Sequence, residues 1–397
     1  MIQERLKALR AEMEKRGITV YVVPTADFHE SEYVGDHFKA RKFITGFTGS
    51  AGTAVITLDE AGLWTDGRYF VQAENQLKDS TVTLYRMGEE GVPTVDEFVK
   101  DRLKEGGCLG FDGRVVNGTW GGRLEKIAAE KNVSMHVTED LIDLIWEDRP
   151  ALSKQPLFIL EEKYSGKSTA DKIGDLRKAM KENGADVHIL TSLYDIAWLL
   201  NIRGNDIDYV PVVLSYLVLN ETECIWFLQE EVVDDKIRAY LEENHITTKP
   251  YDAIYDYVPE IPADAVVLMN RGTVNYRIVN SLDKAIKVVD KPNPTELMKA
   301  VKNKTEVDNT RAAHVKDGVA FTKFMYWLKT NIGKIPMTEI SASDYLEARR
   351  REQDNFIELS FDTICAYGPN AAMMHYAPKA EGSAVIKPEH FLLNDSG

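Results

Sequence analysis

Two side chains near the C-terminal end of the sequence have the types and surroundings that chemistry asks for. They are His375 and Asp395, within FDTICAYGPNAAMMHYAPKAEGSAVIKPEHFLLNDSG, residues 361–397. Two short apolar runs, Phe356–Ile364 and Phe391–Leu393, are predicted strands, because turn formers bound them and they are too brief for helices. The first leads through the turn signature Gly368-Pro369-Asn370 to His375, and the second ends on Asp395, followed at once by Ser396 and Gly397. A carboxylate placed where a buried strand runs out, with small residues after it, can be presented to a metal or a substrate. A lone Asp at a strand end also serves as a turn or cap residue, and a lone His as a satisfied structural one. The residue pattern by itself leaves both readings open.

Stepping outward, 397 residues are too many for one ordinary core, and two or three domains are expected. Hydrophobic residues at 44% and charged ones at 28% are values for a globular protein. The net charge of −15, with no basic tract to offset it, excludes nucleic acid and anionic membrane as expected partners. Cys108, Cys224 and Cys365 lie far apart with no CxxC spacing, which suggests neither a zinc knuckle nor a disulfide framework. The opening MIQERLKALRAEMEKRG is charged throughout and lacks the apolar core of a signal peptide, and no run approaches eighteen apolar residues. A cytoplasmic location is the expectation.

The elements that must position these side chains follow in order. Ile2, Leu6, Leu9 and Met13 recur at helical spacing and Gly17 stops the helix; Val20–Val23 is a predicted buried strand. In TGFTGSAGTAVIT, residues 45–57, the glycines precede a strand, whereas a phosphate cradle needs them after one and leading into a helix. They are read as a tight, closely packed turn. Leu63–Thr65 is another strand, Asp66-Gly67 its turn, and Arg68 and Tyr69 begin a helix on which Tyr69, Ala73 and Leu77 repeat.

Residues 160–290 repeat this plan weakly. With a shift of 167, Leu9, Arg10, Met13 and Gly17 fall on Leu176, Arg177, Met180 and Gly184, and strand Val20–Val23 on Val187–Leu190. A duplicated α/β module is predicted, with one domain over 1–155 and another over 160–288, the second including a strand at Val212–Leu219. A third region, 291–397, opens with Asn293 as helix cap, Pro294 in the first turn and Glu296 three residues on. Thr305 and Asp308 suggest the same device for a longer helix carrying Ala312, Val315, Val319, Ala320, Phe324, Trp327 and Leu328 on one face, followed by a helix around Asp344–Glu352.

The segment SFDTICAYGPNAAMMHYAP together with FLLNDSG resembles the start of the catalytic domain of the aminopeptidase P (X-prolyl aminopeptidase) family, whose wider group includes prolidase, creatinase and methionine aminopeptidase. TGFTGSAGTAVIT and LWTDGRYFVQAE are similar to the creatinase-type N-terminal domain of the same enzymes. The resemblance implies two creatinase-type N-terminal α/β domains followed by the first part of a pita-bread catalytic domain. It also implies a cytoplasmic homodimer that releases the N-terminal residue of peptides with proline in the second position. Hydrolysis of a peptide bond at neutral pH needs a strong nucleophile and charge stabilisation, which two metal ions sharing carboxylates supply by lowering the pKa of a bridging water. Such a site suits hard ions such as Mn²⁺.

On this resemblance Asp395 matches the first metal-ligating Asp, His375 a histidine that assists substrate binding and catalysis, and Arg68 an arginine contributed to the peptide site by the N-terminal domain. The sequence departs from the family pattern in stopping two residues after Asp395, which leaves four of the five family ligands outside it. One carboxylate cannot hold two metal ions, so this chain by itself is expected to be inactive and to bind Mn²⁺ weakly. The alternatives are a non-catalytic relative that binds peptides or proteins, and, among enzymes, a prolidase or creatinase. Two modules before the catalytic region favour the longer aminopeptidase P type.

Overall fold

The computed structural model describes residues 2–397. They form two compact units: one of residues 2–162, Lys167–Ile207 and Pro211–Val301, the other of Lys163–Gly166, Asp208–Val210 and Lys302–Gly397.

The first unit contains two six-stranded sheets. The first sheet is built from β1 (Val20–Pro24), β2 (Thr53–Thr57), β3 (Ala61–Thr65), β4 (Thr83–Arg86), β5 (Cys108–Phe111) and β6 (Ser134–His136), in the order β4-β3-β2-β1-β5-β6. Helices cover both faces, so β1 is apolar along its whole length rather than alternating. Tyr21 and Val23 enter the cluster built on Leu6, Leu9 and Met13 of the first helix, Ile2–Lys15, while Val20 and Val22 enter one built on Phe98, Val99 and Leu124. Gly17 takes φ +66 just past that helix, a left-handed conformation that glycine adopts without steric cost.

After a short strand β7 (Phe158–Ile159), paired with β9 (Ile202–Arg203), the second sheet comprises β8 (Val187–Leu190), β10 (Ser215–Asn220), β11 (Cys224–Leu228), β12 (Ile246–Pro250), β13 (Val266–Met269) and β14 (Lys287–Asp290). Its order, β12-β11-β10-β8-β13-β14, is that of the first sheet, with the same alternation of parallel and antiparallel pairs. The strand predicted at Val212–Leu219 begins later, at Ser215, where the ladder with Leu228 starts.

The two sheets are joined by matching backbone bonds. Gly118 N donates to Val274 O at 2.8 Å and Tyr276 N to Val116 O at 2.7 Å; Thr119 N donates to Arg271 O at 3.0 Å and Arg277 N to Gly113 O at 2.9 Å. Asn117 and Asn275, bridged to one another, cap the helices Gly118–Glu130 and Tyr276–Ser281. These helices pack so closely that a Cβ on Gly121 would lie 2.1 Å from the Tyr276 ring, whereas one on Gly122 would meet nothing within 4 Å. Gly121→Ala should therefore cost about 1–3 kcal/mol by overpacking, while Gly122→Ala should gain up to about 1 kcal/mol of helix propensity. Thermal melts that shift in opposite directions check this; a gain in Tm for both would refute the close approach.

The second unit holds two helices and a hairpin. Helix Lys304–Asn331 is capped by Asn303, whose side chain accepts from Glu306 N at 2.9 Å while Glu306 accepts from Asn303 N at 2.9 Å. This pair replaces the predicted Thr305 and Asp308, because Asn303 is the residue in extended conformation at the helix start. Of the predicted apolar face only Ala320 and Phe324 are fully buried, and Val315 stays 67% exposed. The core here, with Met337, Leu346, Cys365 and Ile386, reaches only the C-terminal half of that helix.

Helix Glu339–Arg351 starts earlier than predicted, on Thr338 as cap. The predicted strand Phe356–Ile364 is also displaced. Residues 356–363 are outside any strand, and the ladder runs from β15 (Ile364–Tyr367) to β16 (Leu392–Asp395), because its four-residue partner reaches no further than Ile364.

Candidate functional site

Arg68 stands on the first unit, in the turn between β3 and the helix Phe70–Leu77. Its Nε and Nη2 donate to the two carboxylate oxygens of Asp66 at 2.7 and 2.8 Å, and half of the side chain is exposed. The support beneath it is rigid. Tyr69 is buried and shares a 2.6 Å hydrogen bond between its hydroxyl and Ser50 Oγ, which ties the turn to the glycine-rich segment.

Those glycines act by packing, as the sequence suggested. Gly46 takes φ +78 to end the helix Ala40–Thr45, and a Cβ on Gly49 would lie 2.2 Å from the Phe47 ring and 2.8 Å from Tyr69. The segment is held by a residue that the motif did not indicate, Arg41. Buried beneath it, Arg41 donates from Nη1 to Phe47 O at 2.6 Å, from Nε to Thr25 Oγ1 at 2.9 Å, and to Gly49 O. Burial without a carboxylate partner pushes its guanidinium down to about 10, still protonated at neutral pH.

His375 and Asp395 both belong to the second unit. His375 is exposed in the loop that follows β15, and Asp395 is the exposed last residue of β16. The ladder pairs Tyr367 with Leu392 and Ile364 with Asp395, so the two leave it at opposite ends, about 10 Å of strand apart. The end that carries Asp395 is anchored twice: Ser360 N donates to Gly397 O at 3.0 Å, and the buried Arg350 donates from Nη2 to Ser396 O at 3.3 Å and from Nε to Asp317 at 2.6 Å.

The loop that bears His375 closes on one carboxylate. Glu339, fully buried at the start of its helix, accepts from Tyr367 N at 2.6 Å, Ala384 N at 2.9 Å, Asn370 Nδ2 at 3.0 Å and Tyr376 Oη at 2.7 Å. Three of these donors, Asn370, Tyr376 and Ala384, lie before and after His375 in the loop, and Tyr376 is its immediate neighbour. Burial alone would push the Glu339 carboxyl up, but the four donors together outweigh it and hold the group below its ordinary value. In the sequence Glu339 is an acidic residue in the first turn of a helix, a placement the helix dipole explains without any loop to hold.

Comparison with known proteins places the chain among relatives. Residues 5–145 and 148–306 match models of the creatinase/prolidase N-terminal domain, and residues 308–397 match metallopeptidase family M24. A probable Xaa-Pro aminopeptidase P of Sordaria macrospora is 39% identical over 99% of this chain, and one of Neurospora crassa is also 39% identical over 99%. The chain spans 66% and 60% of the lengths of these two relatives.

The solved X-prolyl aminopeptidase of Caenorhabditis elegans, described as a cytosolic enzyme with a di-nuclear active site, matches 100% of this chain and 67% of its own. The match has a TM-score of 0.94 at 32% identity. Among the described residues no three His, Cys, Asp or Glu side chains are placed to hold a metal ion, so the donors present do not by themselves fit such a di-nuclear centre. No helix is long and apolar enough to cross a membrane.

Proposed function

The chain belongs to the M24 metallopeptidase family, with two creatinase/prolidase N-terminal domains ahead of its M24 region, and from that membership we propose that the whole protein is a metal-dependent Xaa-Pro aminopeptidase. It releases the N-terminal residue of peptides with proline in the second position. The observation that carries this reading is the likeness, along the full length of the chain, to the C. elegans X-prolyl aminopeptidase. Family membership brings a divalent metal; Mn²⁺ is the ion we assign, with Asp395 as one of its ligands. His375 touches the substrate and assists its cleavage, and Arg68 holds the peptide. We take 1–155, 160–288 and 291–397 as the domain limits, the protein as a cytoplasmic homodimer, and the 397 residues alone as inactive, since Asp395 has no companion ligands among those described.

Several features of the structure fit these roles. Arg68 is half exposed, on a turn fixed by Asp66 and Tyr69, and a guanidinium is suited to a carbonyl or carboxylate of a peptide. His375 is exposed on a loop pinned on both sides, so its imidazole is placed at small entropic expense. The test is hydrolysis of a peptide with proline in the second position by the whole protein, with and without a chelator. No cleavage in the presence of Mn²⁺ would favour the non-catalytic, peptide-binding alternative.

Arg68→Ala should then lower kcat/KM by about 10- to 100-fold, the loss of a hydrogen bond to a charged donor. Because the Arg68–Asp66 pair is exposed, the change in stability should stay within about 1 kcal/mol. Unchanged kinetics would remove Arg68 from the peptide site.

A further inference from the structure

Arg68 is the outer end of a run of cation and ring contacts that leads down to a buried charge. Its guanidinium carbon lies 5.3 Å from the centre of the Tyr69 ring. That ring meets Phe47 edge to face, with centres 6.0 Å apart and planes at 84°. The Phe47 ring in turn lies 4.7 Å from the guanidinium carbon of Arg41. At these separations a cation attracts a ring face, and two rings attract edge to face. Tyr69 and Phe47 are both buried, so the place of each ring is set by what packs beneath it.

Arg41 is the member that packing alone does not explain. It is 3% exposed, and its bonds go to Phe47 O, Gly49 O and Thr25 Oγ1, none of them a carboxylate. Taking a cation out of water is costly, and an apolar side chain of similar volume would fill the space without that cost. An apolar side chain lacks the planar fork of donors that fixes two carbonyls of residues 47–49 at once. The same segment is gripped from the helix Phe70–Leu77, which begins two residues after Arg68. Gln76 accepts from Thr48 N at 2.8 Å, and Gln72 donates to Thr48 Oγ1 at 3.0 Å.

We propose that Arg41 is a positioning residue for Arg68. It fixes Phe47 and the carbonyls of residues 47–49, Phe47 fixes Tyr69, and the Tyr69 ring supports the face of the Arg68 guanidinium while Asp66 holds one edge. This rests on the peptide role proposed for Arg68.

A double-mutant cycle in the whole protein, with Mn²⁺ and a peptide carrying proline in the second position, tests it. Arg41→Lys keeps the charge but not the fork, and should lower kcat/KM by about three- to tenfold, through KM more than kcat. In the Arg68→Ala background the same change should lower it by less than about twofold, because the residue it acts through is gone. Phe47→Leu, which leaves Arg41 and the backbone carbonyls in place but removes the ring between the two arginines, should show the same dependence on Arg68. It also covers the case in which Arg41→Lys does not fold. Equal losses with and without Arg68 would mean that Arg41 serves the fold alone. That result, or unchanged kinetics in either folded variant, would overturn the proposal and leave the peptide role of Arg68 standing. Arg68→Ala without effect on kcat/KM would remove that role, and this proposal with it.

Discussion

Glu339→Ala is expected to destabilise the second unit by about 3–5 kcal/mol, because four donors lose their common acceptor inside the fold. The damage should be directional. The amides of Tyr367 and Ala384 should lose hydrogen-exchange protection, while the two sheets of the first unit keep theirs. In an active whole protein the same change should depress kcat more than the stability loss accounts for, since the loop of His375 is no longer held.

The pH dependence follows from the direction of the shift. The folded Glu339 is held below its ordinary value of 4.5, so its contribution is fully present above that pH and is lost as pH falls through the lowered folded value. Denaturant unfolding of the second unit should therefore weaken in acid, and Glu339→Gln should remove that component of the pH dependence. Protection of Tyr367 and Ala384 that survives the alanine change would mean that the loop is held by something else.

The second large effect concerns Asp395. In the whole protein Asp395→Asn should lower Xaa-Pro cleavage on the order of 10³-fold, the scale of several kcal/mol of metal-derived stabilisation. Being exposed at the end of β16, Asp395 has little role in packing, and the melting temperature should hardly move. Elemental analysis of the purified variant separates the possibilities. Metal content at the level of the parent, with full activity, would take Asp395 out of the metal site, whereas lost metal with an intact fold supports the assignment.

The parts of this molecule legible from its residues were those in which local pattern and tertiary context agree. The apolar run Val20–Val23 could only be a strand covered on both faces, and its echo at Val187–Leu190 proved to occupy the same place in a second sheet of identical strand order. Where pairing partners decide, pattern misled. Phe356–Ile364 looks like a strand, but β16 is too short to pair with most of it. Val315 and Val319 have the spacing of a buried stripe, yet the core of the second unit ends short of them. The placement of His375 and Asp395 on a loop and a strand end was readable, whereas Arg41 and Glu339 were not. Their work is to bind backbone and side-chain groups remote in sequence, and no local spacing encodes that.

The bonds joining the two sheets come in reciprocal pairs. Val116 and Val274 each precede an Asn helix cap, and each accepts from the residue that follows the other's cap; Gly113 and Arg271, further ahead of those caps, each accept from the second residue after the other's cap. Reciprocity of this kind is the mark of an isologous, twofold contact, ordinarily seen between identical subunits, here written into one polypeptide. A covalent connection spares such a contact the translational and rotational entropy that two separate chains lose on meeting. It also frees each half from having to suit itself: Gly121 could shrink to admit Tyr276 on one side of the axis without the same bargain being imposed on the other.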